Sequence, residues 1–301
     1  MAGIGAAGAA TALVGCGSDQ PIATSTPSSS VTDADILNFA LNLEYLEAEF
    51  YLRAATGSGL ATADTGSSPG TVTGGTQVTG LTTAQQNILN EIAYDEQQHV
   101  RFLRSALGSA AVSRPAIDLT ASFNALASAA GIGATFNPFS NFNTFLVGAF
   151  IFEDVGVTAY AGAAPLLSTA GITAGYLTAA AGIMAVEAYH AAYVRTVLTA
   201  GAIAQGTTSF PYLTYANQVA TLRATLGGSN ETQLVVPTGT TTATTIVTPS
   251  AIVAATSANA IAYARTTDQV LHIVYGSSTV GVSKGAFFPN GLNGNITVAK
   301  S

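Results

Sequence analysis

The stretch LTTAQQNILNEIAYDEQQHVRFLRSALG, residues 81–108, decides how the rest of the chain is interpreted. Thr83 and Gln86 have the spacing of a capping box, and Gly108 is a typical C-terminal stop. We therefore predict one helix over 82–107.

Two residues with metal-binding side chains, Glu96 and His99, are three positions apart in this helix. Residues with that spacing share one helix face, so both side chains point the same way. Their setting is unusual, because only 8% of the 301 residues are charged and the mean hydropathy is +0.40.

Composition narrows the class of protein. The net charge is −7, only two lysines occur and no basic stripe exists, so we expect no nucleic-acid partner. No run approaches the roughly 20 strongly apolar residues of a membrane span, so we expect no transmembrane helix. The length suffices for one sizeable core and a smaller appendage.

The N-terminal sequence MAGIGAAGAATALVGCGSDQ is apolar and ends in Leu-Val-Gly-Cys, which resembles a bacterial lipobox. We therefore predict lipidation at Cys16, which is the only cysteine, and an exported protein of the periplasm or cell surface held at the membrane by this anchor alone. Secretory signals carry positive charge before the apolar region, and the first basic residue here is Arg53. We thus expect a basic segment upstream. The alternative is an Ala/Gly-rich tail with an inert cysteine.

The chain divides into three predicted parts: a signal remnant and tether (1–30), a helical bundle (31–228) and a Thr-rich extension that packs on it (229–301). Residues 56–80 are rich in Gly, Thr and Ser and predict a long flexible loop. The predicted helices cover 31–55, 82–107, 119–130, 141–163, 173–201 and 212–226, with a short one within 259–276.

An internal repeat carries the candidate chemistry. Glu96-x-x-His99 and Glu187-x-x-His190 both fit the pattern E-x-x-H-x-x-x-x-R-[ST]-x-L.

The helices that precede these two motifs also match each other. Glu44 lies seven residues before Tyr51, Glu153 lies seven before Tyr160, and Ala-Ala follows in both. The pattern therefore predicts two copies of a helix pair, each of which supplies one Glu and one Glu-x-x-His.

The small number of charged residues in the chain indicates a function for this repeat. Four of the eight glutamates and two of the three histidines fall within it, on apolar helices. One ionised carboxylate buried alone costs many kcal/mol, and several together repel one another. Divalent cations would remove both problems, and mixed carboxylate and imidazole donors suit iron or manganese.

This pattern resembles the ferritin-like superfamily, whose bundle builds a di-iron site from Glu on two helices and Glu-x-x-His on the other two. The segments LNFALNLEYLEAEFY and ARTTDQVLHIVYG resemble bacterial exported ferritin-like proteins related to plant desiccation-related proteins. The resemblance implies a mainly α fold: an antiparallel four-helix bundle with a fifth helix and an irregular, partly extended C-terminal tail.

The resemblance also implies a site for two iron ions, or alternatively for manganese or a mixed pair. Its ligands are Glu44, Glu96 and His99 on one side, and Glu153, Glu187 and His190 on the other. Glu96 and Glu187 are the expected bridging carboxylates. No methionine follows Glu96, so the haem of bacterioferritins is not implied.

Several residues near these ligands leave alternatives open. Glu47 is one turn from Glu44 and is either an alternate ligand or a support for the ligands. Tyr51 and Tyr160 are either core residues with satisfied hydroxyls or partners of the site, through hydrogen bonds or electron transfer.

The implied function is a reaction with O2 or peroxide, or oxidation of Fe(II), in stress defence, with an unidentified electron donor. The alternative is a non-catalytic desiccation or stress protector in which metal is structural. A homodimer is one option for its assembly.

Overall fold

The computed structural model describes residues 31–236 and 259–301 and is mainly helical there. The helices are α1 (Asp33–Thr56), α2 (Thr83–Leu107), α3 (Ala121–Ala129), α4 (Phe142–Ala163), α5 (Thr169–Thr173), α6 (Tyr176–Gln205), α7 (Tyr212–Gly227) and α8 (Thr267–Tyr275). Two short strands, β1 (Val72–Thr73) and β2 (Ile117–Asp118), pair in parallel. The predicted mainly α bundle is confirmed. The predictions for Cys16 and the rest of the N-terminal segment lie outside the described residues.

The bundle consists of two helix pairs. Helix α1 packs along α2, and α4 packs along α6, while α1 and α4 also contact each other. Helices α1 and α4 are buried on nearly every side, whereas α2 and α6 each bury one face. A helix surrounded by protein is apolar all round, which explains why α4 lacks a polar face.

Helix α4 corrects one expectation. By length and composition alone, Phe142–Leu166 could cross a membrane, contrary to the prediction that no such stretch exists. In the structure 94% of its most apolar window is buried inside the protein, as in the core helix of a globular bundle.

The start of α2 differs from the prediction by one residue. Thr82, and not Thr83, is the N-cap, and its hydroxyl accepts a hydrogen bond from the backbone N–H of Gln85. The Gln85 side chain accepts one from the backbone N–H of Thr82, which completes the capping box.

The end of α6 lies beyond the predicted stop at Gly201. A Cβ at this position would come within 2.4 Å of the Phe210 ring, so the glycine permits close packing inside a continuing helix. The predicted start at residue 173 is also wrong, because Gly175, with φ 88°, separates α5 from α6.

The segment predicted as a flexible loop is attached to the bundle at several points. Asp64 pairs with Arg101 of α2 at 2.9 Å, and the backbone N–H of Gly70 donates to the carbonyl of Arg114. Arg114 also pairs with the buried Glu49 of α1.

A buried ionic network joins the extension to the bundle. Asp154 of α4 lies 2.8 Å from Arg195 of α6 and 2.8 Å from Arg223 of α7. Glu231 then contacts Arg223 at 2.8 Å and Arg265 at 2.5 Å. The network thus connects three bundle helices to Glu231 and Arg265, two residues of the extension that precede α8.

We predict that Asp154→Asn lowers the free energy of unfolding by about 3–5 kcal/mol, because it removes the carboxylate that two buried guanidinium groups share. Urea unfolding followed by circular dichroism measures the change. Glu91→Gln, on the exposed face of α2, is the control and should shift the value by no more than about 0.5 kcal/mol. Equal effects of the two substitutions would contradict the prediction.

Candidate metal centre

The six predicted ligands converge inside the bundle, and each of its four long helices contributes. All six side chains are buried: Glu44 from α1, Glu96 and His99 from α2, Glu153 from α4, and Glu187 and His190 from α6. They form two groups whose ligand atoms lie within 4.8 Å of one another in each group.

The first group surrounds His99. Its Nδ1 atom lies 3.2 Å from Glu44 Oε2, 3.4 Å from Glu96 Oε2 and 3.5 Å from Glu187 Oε1. Three helices therefore direct donor atoms at one point.

The second group surrounds His190. Its Nδ1 atom lies 3.0 Å from Glu96 Oε1 and 3.5 Å from Glu153 Oε2. Glu96 thus belongs to both groups and turns one oxygen toward each histidine, which is the geometry of a bridging carboxylate. Glu187 belongs to the first group only, although it was predicted to lie on the His190 side and to be a second bridging carboxylate. Its side chain reaches from α6 across to His99 on α2.

The two repeat tyrosines hold the terminal glutamates. The Tyr51 hydroxyl donates to Glu153 Oε1, and the Tyr160 hydroxyl donates to Glu44 Oε1 at 2.5 Å. Each bond links α1 to α4 and leaves the other oxygen, Oε2, facing a histidine. Both hydroxyls are therefore satisfied by partners that belong to the site.

Asp95 supports one histidine. Its Oδ2 atom lies 3.3 Å from His190 Nε2, so this carboxylate can fix the imidazole with Nδ1 turned toward the cluster. The equivalent position in the second repeat is Val186, which cannot do the same for His99. The neighbour of Glu153, Asp154, serves the ionic network instead.

Glu47 and Gly156 occupy equivalent positions, three residues after Glu44 and Glu153. Glu47 is buried beside the cluster but belongs to neither donor group. A Cβ on Gly156 would lie 2.3 Å from Glu187 Oε2, so a glycine is needed there to admit that carboxylate. Gly156 was not predicted as a site residue, although the mismatch between Glu47 and Gly156 in the two repeats is visible in the sequence.

Burial and mutual repulsion strongly shift the pKa values of these glutamates. Burial raises the pKa of Glu44 to about 7, although nearby His99 opposes the shift. Burial, together with the charges of neighbouring glutamates, raises the pKa of Glu47 and Glu187 well above the ordinary value. Burial also acts on Glu96, but the two imidazoles outweigh it and hold its pKa at about 2.

The pKa values of the two imidazoles shift in the opposite direction to that expected from burial alone. Burial lowers the pKa of an imidazole, yet the pKa of His99 and of His190 is raised, because the adjacent carboxylates, Glu44 and Glu153 foremost, outweigh it. Without metal, protons on these groups therefore take the place of the cations.

Unsatisfied polar atoms test whether the cluster fits metal ions. Buried atoms without a hydrogen-bond partner include both carboxylate oxygens of Glu96 and Glu187, Glu153 Oε2 and His190 Nδ1. A buried polar atom without a hydrogen bond costs about 1–3 kcal/mol, and here the attraction between carboxylates and imidazoles, as between Glu96 and His190, offsets only part of that cost. These unsatisfied atoms all face one cluster, and oxygen and imidazole donors suit iron or manganese. The residues therefore fit a pair of such ions.

Comparisons with known proteins agree with this architecture. A family model described as a ferritin-like domain matches residues 32–200, and the chain belongs to this ferritin-like family. It is 31% identical over 277 residues to "Ferritin-like catalase Nec2" of Nesocodon mauritianus, covering 88% of this chain and 84% of that protein. It is also 33% identical over 176 residues to "Desiccation-related protein PCC13-62" of Craterostigma plantagineum, covering 56% of this chain and 53% of that protein. The chain is therefore related to desiccation-related proteins.

We predict that the metal-free protein loses stability as pH rises from 4.5, the ordinary value for Glu, to about 7, the pKa of Glu44. In this window the native state binds more protons than the unfolded state, so each raised group contributes a loss of up to about 1.4 kcal/mol per pH unit. The lowered pKa of Glu96 makes stability increase with pH, but only below pH 4.5.

Urea unfolding of the metal-free protein at several pH values measures this slope. The same titration with Mn(II) present is the control, in which stability should rise with pH because metal binding displaces protons. A metal-free protein that gains stability between pH 4.5 and 7 would show that the acids do not hold these protons.

Proposed function

We propose that this chain binds two iron or manganese ions and disproportionates hydrogen peroxide, 2 H2O2 → 2 H2O + O2. One peroxide is oxidised to dioxygen and the other is reduced to two waters, so the electrons balance without an external donor. The observation that carries the proposal is Glu96, which faces both histidines and joins two donor groups into one centre. The similarity to a protein named as a ferritin-like catalase supports the reaction.

In this proposal Glu44, His99 and Glu187 would hold one ion, Glu153 and His190 would hold the other, and Glu96 would be shared by both. When bound, iron or manganese supplies a reversible redox couple at the centre. The identity of the metal belongs to the proposal.

The protein side chains perform four tasks around that centre. The carboxylates balance the cationic charge, and the Tyr51 and Tyr160 hydroxyls fix two of them in orientation. Asp95 orients His190. The apolar helices exclude bulk water, which strengthens every electrostatic contact inside.

Peroxide is polar and needs a polar approach to the cluster. The side chains of Asp95 and His99 are 31% and 10% exposed, whereas the four cluster glutamates are fully or almost fully buried. We therefore place the entry for peroxide between α2 and α6, where these two side chains meet solvent.

The cellular setting is a further part of the proposal. The Leu-Val-Gly-Cys sequence at Cys16 supports export and a lipid anchor, which would place the reaction in the periplasm or at the cell surface. There the protein would remove peroxide during stress.

A second candidate function is protection without catalysis, supported by the similarity to a desiccation-related protein. In that case the ions would only offset the buried charges. It differs from the first candidate in one measurable respect, because metal would raise the melting temperature without any turnover of peroxide.

We predict that the purified chain binds two Mn(II) or Fe(II) ions and releases dioxygen from hydrogen peroxide. Glu96→Gln should lower the metal affinity and the rate of dioxygen release by at least about 100-fold, since it removes the shared ligand. Glu91→Gln, on the exposed face of the same helix, is the matched control and should change neither.

Elemental analysis gives the metal content, and an oxygen electrode gives the rate. Two bound ions that raise the melting temperature without release of dioxygen would favour the protective function. Fewer than two ions per chain would exclude the proposed centre.

A further inference from the structure

An apolar cavity of ≈ 20 Å³ lies beside the metal centre among α1, α4 and α8, whereas the proposed peroxide entry lies between α2 and α6. Apolar side chains of α1, α4 and α8, together with Phe287, form most of its wall, and Glu47 and Gly156 complete it. Its surface consists of apolar atoms. The C-terminal extension therefore closes this side of the bundle through α8 and Phe287.

A second cavity of ≈ 20 Å³ lies next to the first and is lined by apolar side chains and by Arg223. The two share Ile151 of α4 and Ile273 of α8 as lining residues. The second cavity lies among α3, α4, α7 and α8, and its rim includes the half-buried Ile132, Phe136 and Leu222. It therefore lies between the inner cavity and the protein surface.

The inner cavity reaches the metal centre at Gly156. This residue lines the cavity and also contacts the metal cluster, since its missing Cβ would lie 2.3 Å from Glu187 Oε2. The first repeat has Glu47 at the same position. The cavity thus lies where the two halves of the bundle differ, between a glutamate on α1 and a glycine on α4.

The apolar lining of the two cavities determines which small molecule can occupy them. A cavity lined by apolar atoms stays dry, because a water molecule would find too few hydrogen-bond partners there. Hydrogen peroxide has more groups to satisfy than water and is disfavoured more strongly. A diatomic gas needs no such partner and fits a space close to the size of one small molecule.

We propose that the two cavities form a passage for dioxygen between the surface near α3 and α7 and the Glu47 side of the metal centre. Its role rests on the proposed function, in which dioxygen is the product of peroxide disproportionation. Dioxygen would leave through this passage, while peroxide and water use the polar side. Binding of the gas itself depends only on the cavities.

The direct test uses dioxygen as the probe, on the full chain with 13C-labelled isoleucine methyl groups. Dissolved dioxygen is paramagnetic and broadens the signals of methyl groups that it contacts. The Ile151 and Ile273 methyl signals should broaden more than that of Ile92, which is as deeply buried on α2 but lines neither cavity. Equal broadening of all three would overturn the proposal.

Xenon gives an independent measurement on crystals of the protein as purified. It should bind between Ile151 and Ile273, Ile151→Phe should abolish this site, and Ile151→Ala should increase its occupancy. Ile273→Phe blocks the passage from the opposite wall if Ile151→Phe does not fold, and Ile92→Phe is the control. Absence of xenon from the unmodified chain, or its persistence in both blocked variants, would overturn the passage. Neither experiment needs peroxide turnover, so failure of the proposed reaction leaves their outcome unchanged.

Discussion

The repulsion among buried carboxylates is the constraint on which the rest of this structure depends. Glu44, Glu47, Glu96, Glu153 and Glu187 are all buried in one region, where each would be costly even alone. Two imidazoles offset part of that charge, and raised pKa values on several groups show that protons must offset more. A pair of divalent cations would do so without protonation. The fold therefore has to hold these mutually repelling groups together in one buried region.

The packing of the helices follows from this constraint. The two helices that supply the terminal glutamates, α1 and α4, lie at the centre and are buried on nearly all sides. Their tyrosines exchange hydrogen bonds across the bundle, Tyr51 with Glu153 and Tyr160 with Glu44. The extension covers what the four long helices leave open, and it is joined to them by buried arginines. Each layer thus removes water from the charged centre.

The sequence predicted which of these side chains share a helix face, because helical periodicity alone determines it. Glu96 and His99, or Glu187 and His190, must point the same way wherever their helix lies. Their division into two groups could not be predicted, since it depends on how far α6 is shifted along α2. That shift decides that Glu187 meets His99 and that Asp95 meets His190. The ionic network around Arg223 was not predicted either, because it depends on how α7 and the segment after it pack against Asp154 of α4.

The positions at which the two repeats differ explain as much of the site as the positions that they share. The shared positions supply the ligands, and symmetry alone would give two equivalent ion sites with identical surroundings. Asp95 stands where the other half has Val186, so His190, unlike His99, has an aspartate beside its Nε2 atom. Gly156 stands where the other half has Glu47, and an apolar cavity lies between them. The centre therefore has a partly exposed polar side at Asp95 and an apolar side at Gly156, and the two sides differ because the repeats differ at positions next to the ligands.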